Sequence, residues 1–329
     1  MSDLEGAGQE RWFEADRSVW ERLERHANKR PGSTASSLSG WNRETVTEQR
    51  VEEESQAPDL GAFLGPPAVE VAGLTKVYGD MVAVDQLTLS VQRGEFFGFL
   101  GPNGAGKSTT IKMLSGLIQP TSGSARVAGI DVLANPIEVK RRMGILPEEV
   151  HTYERLTGFE LLTFVGRLYD MDEMDIYNRA VDLFRVLDFT PEEASKLIID
   201  YSMGMKKKIA LASAIIHNPE VLFLDEPFNG IDAVTSRSIR HILQRAVRSG
   251  VTIFFSSHVL EVVERLCSRI AIINQGKLVA MGTLDEIRRS QAVSGDTGLD
   301  DLFVQLVGGA QTVEELDWLR PQELKEVRE

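Results

Sequence analysis

The sequence predicts an α/β fold: an open, largely parallel sheet, preceded by antiparallel strands and interrupted by a helical insertion. Three observations point to it. EFFGFL (95–100), VLFLD (221–225) and VTIFFSS (251–257) are short, nearly continuous apolar runs, the pattern of strands buried on both faces. Helical periodicities separate and follow these runs, as in alternating strand–helix folds. A glycine-rich loop, GPNGAGKST (101–109), stands between the first run and a helix.

Residues 1–66 differ from the rest. They are rich in Glu, Arg, Ser and Gln, with PGSTASSLSG and VEEES among them, and read as an acidic, largely disordered arm. RSVWERLERHANKR fits a short amphipathic helix with Val19, Trp20 and Leu23 on one side, and Trp12, Phe13 and Trp20 are candidates for docking. GPP at 65–67 marks the start of a domain spanning 67–290. AVEVAGLTKVY and QLTLSVQ alternate as half-solvated antiparallel strands do. After the glycine-rich loop, KSTTIKMLSGLI has a helical pattern. The stretch 150–215 is almost wholly helical in pattern (ELLTFVGRLYD, NRAVDLFRVLDF, MKKKIALASAIIHN), which reads as a helical subdomain carried on the α/β core. TSRSIRHILQRAVRS and VLEVVERLC continue the strand–helix alternation. RIAIINQGKLVAMG reads as two strands joined at a Gln-Gly turn. The tail, 291–329, contains one amphipathic segment, LDDLFVQLVGG, and an acidic end.

A length of 329 residues suffices for one large domain or two ordinary ones. Hydrophobic and charged fractions of 42% and 26% are those of a soluble globular chain. A net charge of -13 argues against free nucleic acid as a partner, since its phosphates require a clustered basic surface. Cys267 is the sole cysteine, so no disulfide forms within the chain, and its helical context reads as a buried structural thiol. No apolar run approaches the ~18–20 residues that span a bilayer, and the N-terminus has no apolar signal core. Work at a membrane would need another chain to provide the span.

The loop satisfies G-x-x-x-x-G-K-[ST] in the strand–loop–helix setting that a P-loop NTPase core requires. Over Gly101, Pro102, Asn103, Gly104, Ala105 and Gly106, glycines let backbone N–H groups turn inward around phosphate oxygens, and the following helix N-terminus adds partial positive charge. Lys107 would reach the β- and γ-phosphates of ATP, Ser108 would bind Mg²⁺ through its hydroxyl, and Thr109 completes the motif. VLFLDEP delivers Asp225 as a metal-side acid and Glu226 as a general base for an attacking water. His258, just past another buried strand, is a candidate γ-phosphate contact that also holds that water.

Taken in order, GPNGAGKST, LPEE, YSMGMKKKIALASAIIHNPEVLFLDEP, NGID and SSH resemble the ATP-binding subunit of ABC transporters over about residues 69–290. The resemblance implies that Tyr78 stacks on adenine. It implies that Glu148, where the family usually has glutamine, touches Mg²⁺ and links to the membrane partner. Ser202 and Gly204 match the signature loop that meets the opposite subunit's γ-phosphate, and Asp232 in NGID matches the loop that communicates between subunits. Met203, Met205 and Asn229 depart from the family's usual glycine, glutamine and serine. Lys206, Lys207 and Lys208 add positive charge near a helix start, where the dipole alone would favour acids.

The resemblance further implies a dimer with two composite ATP sites, closed by ATP and opened after hydrolysis, and an integral membrane permease as partner. The chain would then be cytoplasmic and peripheral at the membrane. YERLTGFELLTFVGRLYD and LDDLFVQLVGG look most like the export branch, in which ATPase and permease are separate chains. Two alternatives stand beside this reading. One is a soluble ABC ATPase acting on ribosomes or in cofactor assembly. The other is a regulatory binder that has lost hydrolysis, against which the retained Lys107, Asp225, Glu226 and His258 argue.

Overall fold

The computed structural model describes residues 65–290 and 299–308. Two sheets frame the molecule. The first, four-stranded and ordered β2-β1-β4-β5, comprises β1 (Val69–Tyr78), β2 (Met81–Val91), β4 (Ser122–Val127) and β5 (Ile130–Asp131). Its pairings are all antiparallel. The second, six-stranded and ordered β10-β9-β3-β8-β7-β6, comprises β3 (Phe96–Leu100), β6 (Met143–Leu146), β7 (Val221–Asp225), β8 (Thr252–Ser257), β9 (Arg269–Asn274) and β10 (Lys277–Gly282). It is parallel except for β10, which returns antiparallel to β9. The α/β architecture is the expected one, and the β9–β10 turn falls on Gln275 and Gly276, both at positive φ (48° and 78°) as a tight two-residue hairpin turn requires.

Helices α1 (Lys107–Leu114), α2 (Pro136–Arg142), α3 (Gly158–Leu168), α4 (Glu173–Val186), α5 (Pro191–Ser195), α6 (Met203–Ile215), α7 (Ala233–Arg248), α8 (Leu260–Leu266), α9 (Leu284–Ser290) and α10 (Leu299–Val307), with a 3-10 turn at Ile198–Asp200, complete the described elements. Local chemistry sets several of their starts. Thr157 with Glu160 and Thr190 with Glu193 form reciprocal capping boxes for α3 and α5, and Asp172 caps α4. α1 stops at Leu114 although its apolar pattern runs on to Ile118, because Gly116 turns the chain at φ 65°.

Side chains alternate across β3 and partition two cores. Phe97 and Phe99 pack with Phe223, Phe254 and α1 beneath the antiparallel sheet. Phe96 and Leu100 face the other way, with Leu222, Leu224 and Phe255 against α3, α4, α6 and α7. Cys267 packs against this second core, and burial pushes its thiol well above the ordinary value, so it is a structural group. No helix among the described residues is long and apolar enough to cross a membrane. The N-terminal arm, with the helix suggested around Trp20 and the docking candidates Trp12, Phe13 and Trp20, lies outside the described residues, as does the acidic end of the tail.

Where α6 ends, His217 stacks on Tyr169 with ring centroids 3.7 Å apart, its Nε2 3.0 Å from the Met143 carbonyl. Its Nδ1 is buried without a hydrogen-bond partner. Burial holds the imidazole below its ordinary 6.5, so below that pH the unfolded chain binds more protons than the folded one. Stability contributed by neutral His217 is therefore present above about pH 6.5 and lost as the pH falls. The melting temperature should drop between about pH 7.5 and about pH 5.5, and drop less in His217→Phe, which keeps the stack but cannot titrate. Equal drops in the two proteins would contradict this.

Candidate active site

Parallel strands end on the same edge, so the C-terminal ends of β3, β8, β7 and β6 bring four separate segments together. The loop 101–106 leaves β3, Asp225 ends β7 and Glu226 follows it, His258 follows β8, and Glu148 follows β6.

Within the loop, the Ala105 N–H donates to the Pro102 carbonyl (3.1 Å), and the Ala105 carbonyl accepts from Gly276 N–H (3.0 Å) on the β9–β10 turn. Gly106 sits at φ 104°, and a Cβ there would lie 2.5 Å from the Ala83 carbonyl oxygen, so both conformation and space demand glycine. Gly106 is also the N-cap of α1 and supplies no side-chain hydrogen bond, which leaves the first-turn N–H groups free to face an anion. Asn103 and Gly104 are exposed, and Ser108 and Thr109 are half-buried on the first turn. The buried Lys107 ammonium donates to the carbonyls of Gly101 (2.8 Å) and Pro102 (3.3 Å) and lies 3.4 Å from Glu226 Oε1.

Both strand-end acids are buried. Ser256, directly opposite Asp225 in the parallel register, donates its hydroxyl to Asp225 Oδ1 (2.6 Å) and accepts the Glu226 N–H (3.1 Å). Glu226 has φ 47°, an uncommon left-handed conformation for a residue with a side chain. Its carboxylate lies between two side-chain nitrogens: Oε2 is 3.0 Å from His258 Nδ1, and Oε1 faces the Lys107 ammonium. The Lys107 contact is a charge pair without hydrogen-bond alignment, and Oε1 is buried with no hydrogen-bond partner. A buried carboxylate oxygen with unused acceptor capacity is what a base needs to take a proton from water.

A second cluster forms where α6 meets α7. Ser202 caps α6, its Oγ accepting from Met205 N–H (3.2 Å), a bond that leaves the hydroxyl proton unspent. Met203 points outward, 64% exposed. Gly204 is buried, and a Cβ there would approach Thr235 Oγ1 to 2.8 Å, so glycine here permits the close approach of the two helices. Asp232 caps α7: Oδ1 accepts from Val234 N–H and Thr235 N–H (2.9 Å each), and Oδ2 from Thr235 Oγ1 (2.7 Å). These bonds from Thr235 and Val234 hold its carboxyl below the ordinary range. Tyr78, at the end of β1, is 45% exposed with Lys76 Nζ 5.0 Å from its ring centroid, and Glu148 is exposed.

The three lysines of α6 do not form a basic patch. Lys206 pairs with Glu154 (3.0 Å), Lys208 lies over the Phe189 ring, and Lys207 is buried with its ammonium on the carbonyls of Glu226 (2.9 Å) and Asn229 (2.7 Å). Lys207 thus joins the second cluster to the first. Neither it nor Ser256 is distinguished by the motifs. Ser256 could have been found by aligning the ends of the two buried runs VLFLD and TIFFSS, whereas a buried lysine has no sequence signal. A cavity of about 500 Å³ lies elsewhere, between α4, the end of α6 and α7, and holds none of these groups.

Known proteins share the sequence and fold of this chain. The family profile described as ABC transporter matches residues 84–229. The linearmycin resistance ATP-binding protein LnrL of Bacillus subtilis is 38% identical over 229 residues, covering 70% of this chain and 73% of that protein. The daunorubicin/doxorubicin resistance ATP-binding protein DrrA of Streptomyces peucetius is 39% identical over 223 residues, covering 68% and 67%. A solved structure of an ATP-binding subunit of an ABC transporter superposes with TM-score 0.69 at 33% identity, covering 73% of this chain and 99% of that one. The chain belongs to the ABC transporter family, as an ATP-binding subunit with the ABC ATPase fold. Its activity is ATP hydrolysis coupled to transport.

Proposed function

We propose that ATP binds with its phosphates in the loop 101–109 and is hydrolysed with Glu226 as general base, in a dimer that drives export through a separate integral membrane permease. The observation that carries this reading is the Glu226 carboxylate, buried and held between the phosphate-loop lysine and His258. Lys107 would exchange its carbonyl and carboxylate partners for phosphate oxygens. Glu226 would then accept a proton from the attacking water, with His258 beside it to orient that water and contact the γ-phosphate.

Among the described residues no cluster of three or more His, Cys, Asp or Glu could hold a metal. That suits Mg²⁺, which binds through one or two carboxylates together with substrate phosphates and water. Asp225, Ser108 and Glu148 would supply the oxygens, and the ion would neutralise phosphate charge. In holding Asp225 by one oxygen, Ser256 leaves the other for that purpose.

Tyr78, exposed at the end of β1, would stack on adenine. Ser202, with its free hydroxyl proton, would meet the nucleotide of the facing subunit, and the outward Met203 leaves the α6 N-terminus accessible to it. Gly204 and Asp232 would act by packing and capping that face. In this reading residues 67–290 are the working domain, 150–215 its helical subdomain, and the permease docks near Glu148 at the membrane's cytoplasmic face. The named resistance proteins favour a small toxic molecule as cargo, and none of them favours the soluble alternative. Affinity capture of the tagged chain from detergent-solubilised membranes should recover a small integral membrane protein. Recovery of ribosomal or cofactor-assembly proteins in its place would contradict the proposal.

A further inference from the structure

We propose that Lys207 is a positioning residue for hydrolysis: from α6 it holds the Glu226 and Asn229 carbonyls and so keeps the Glu226 carboxylate aimed between Lys107 and His258. The inference rests on Glu226 being the base, as proposed above.

Four observations carry it. Lys207 is 3% exposed, and an ammonium that deeply buried must be compensated. Two backbone carbonyls, at 2.9 and 2.7 Å, supply that compensation, and both belong to the segment that follows β7. Glu226 adopts its left-handed φ of 47° while its N–H is held by Ser256 and its carbonyl by Lys207 and the Asn229 N–H (3.2 Å). Such a conformation persists only where the surroundings over-determine it. Burial lowers the lysine's pKa, opposed by the charges of Glu148, Glu226 and Asp225, so the ammonium sits in the field of these acids.

The lysine lies on the helix whose start is capped by Ser202 and whose Gly204 packs against Thr235. A displacement of α6 therefore displaces the backbone of Glu226. The neighbouring lysines cannot substitute, since Lys206 and Lys208 leave the helix toward Glu154 and Phe189.

Steady-state Mg²⁺-ATPase assays on the full chain test this. Lys207→Met, which keeps the length and removes the donors, should lower kcat by about 10–100-fold with KM for ATP changed less than about 3-fold. Lys207→Arg, which can still donate to both carbonyls, should recover most of the rate. If Lys207→Met does not fold, Lys207→Gln carries the test, because its shorter amide cannot span both carbonyls, and the same loss of kcat is expected. Wild-type kcat in a folded Lys207→Met or Lys207→Gln variant overturns the proposal, as does a loss confined to KM or one that arginine does not relieve. Glu226→Gln, assayed alongside, separates the two claims. If that variant turns over normally, the base assignment fails. If it is inactive while the lysine variants are not, only the role of Lys207 fails.

Discussion

Lys107→Ala will bind ATP poorly and hydrolyse none above background. The side chain is the one cation that the phosphate loop itself places at its mouth, and its ammonium already contacts two loop carbonyls and the base. Removing a preorganised donor from charge that develops in a transition state costs about 10²–10³ in rate, or about 3–4 kcal/mol. Here ground-state phosphate binding is lost as well. The substitution has a second consequence in the nucleotide-free protein. The carboxylate of Glu226, a residue only 5% exposed, would lose its ammonium neighbour and keep the contact with His258 Nδ1. The melting temperature without nucleotide should therefore fall too, and the stabilisation that ATP gives the wild-type protein should vanish. Nucleotide-dependent shifts in melting temperature and phosphate release read both effects. Turnover equal to wild type would overturn the phosphate-loop assignment.

Glu226→Gln will bind ATP at least as well as wild type and hydrolyse it about 10²–10⁴-fold more slowly. The amide keeps the shape and the backbone hydrogen bonds to Ser256 and Lys207 but cannot accept a proton from water. Affinity should not suffer, because in the free protein the carboxylate competes with phosphate for Lys107 at 3.4 Å, and the uncharged amide competes less. A rate within a few-fold of wild type would assign the base elsewhere.

Much of this site was legible in the sequence because it is local. GPNGAGKST encodes its own turn, its lysine and its helix start in consecutive residues. VLFLDEP and TIFFSSH announce buried strands that end in polar groups. What was not legible depends on tertiary contact. β6 has only four residues, and β4 (SGSARV) is mostly exposed and polar, so neither carries a usable periodicity. Their strand state comes from pairing with β7 and β1. The basic run in YSMGMKKK suggested charge near a helix start, yet helical geometry sends its three side chains in three directions, one of them into the core. Gly204 and Asp232 matched motif positions associated with the nucleotide and the facing subunit. What the motif did not reveal is that within one chain they also pack against and cap α7.

The central claim, that Glu226 ends an ATP-bound dimeric state by hydrolysis, is tested most directly by the mass of Glu226→Gln in solution with and without ATP, measured by light scattering behind size exclusion. The account predicts one 36.5 kDa chain without nucleotide and a doubled mass with ATP that persists, while wild type returns to the single-chain mass as ATP is consumed. A variant that stays at the single-chain mass in saturating ATP while hydrolysing it normally would contradict the account.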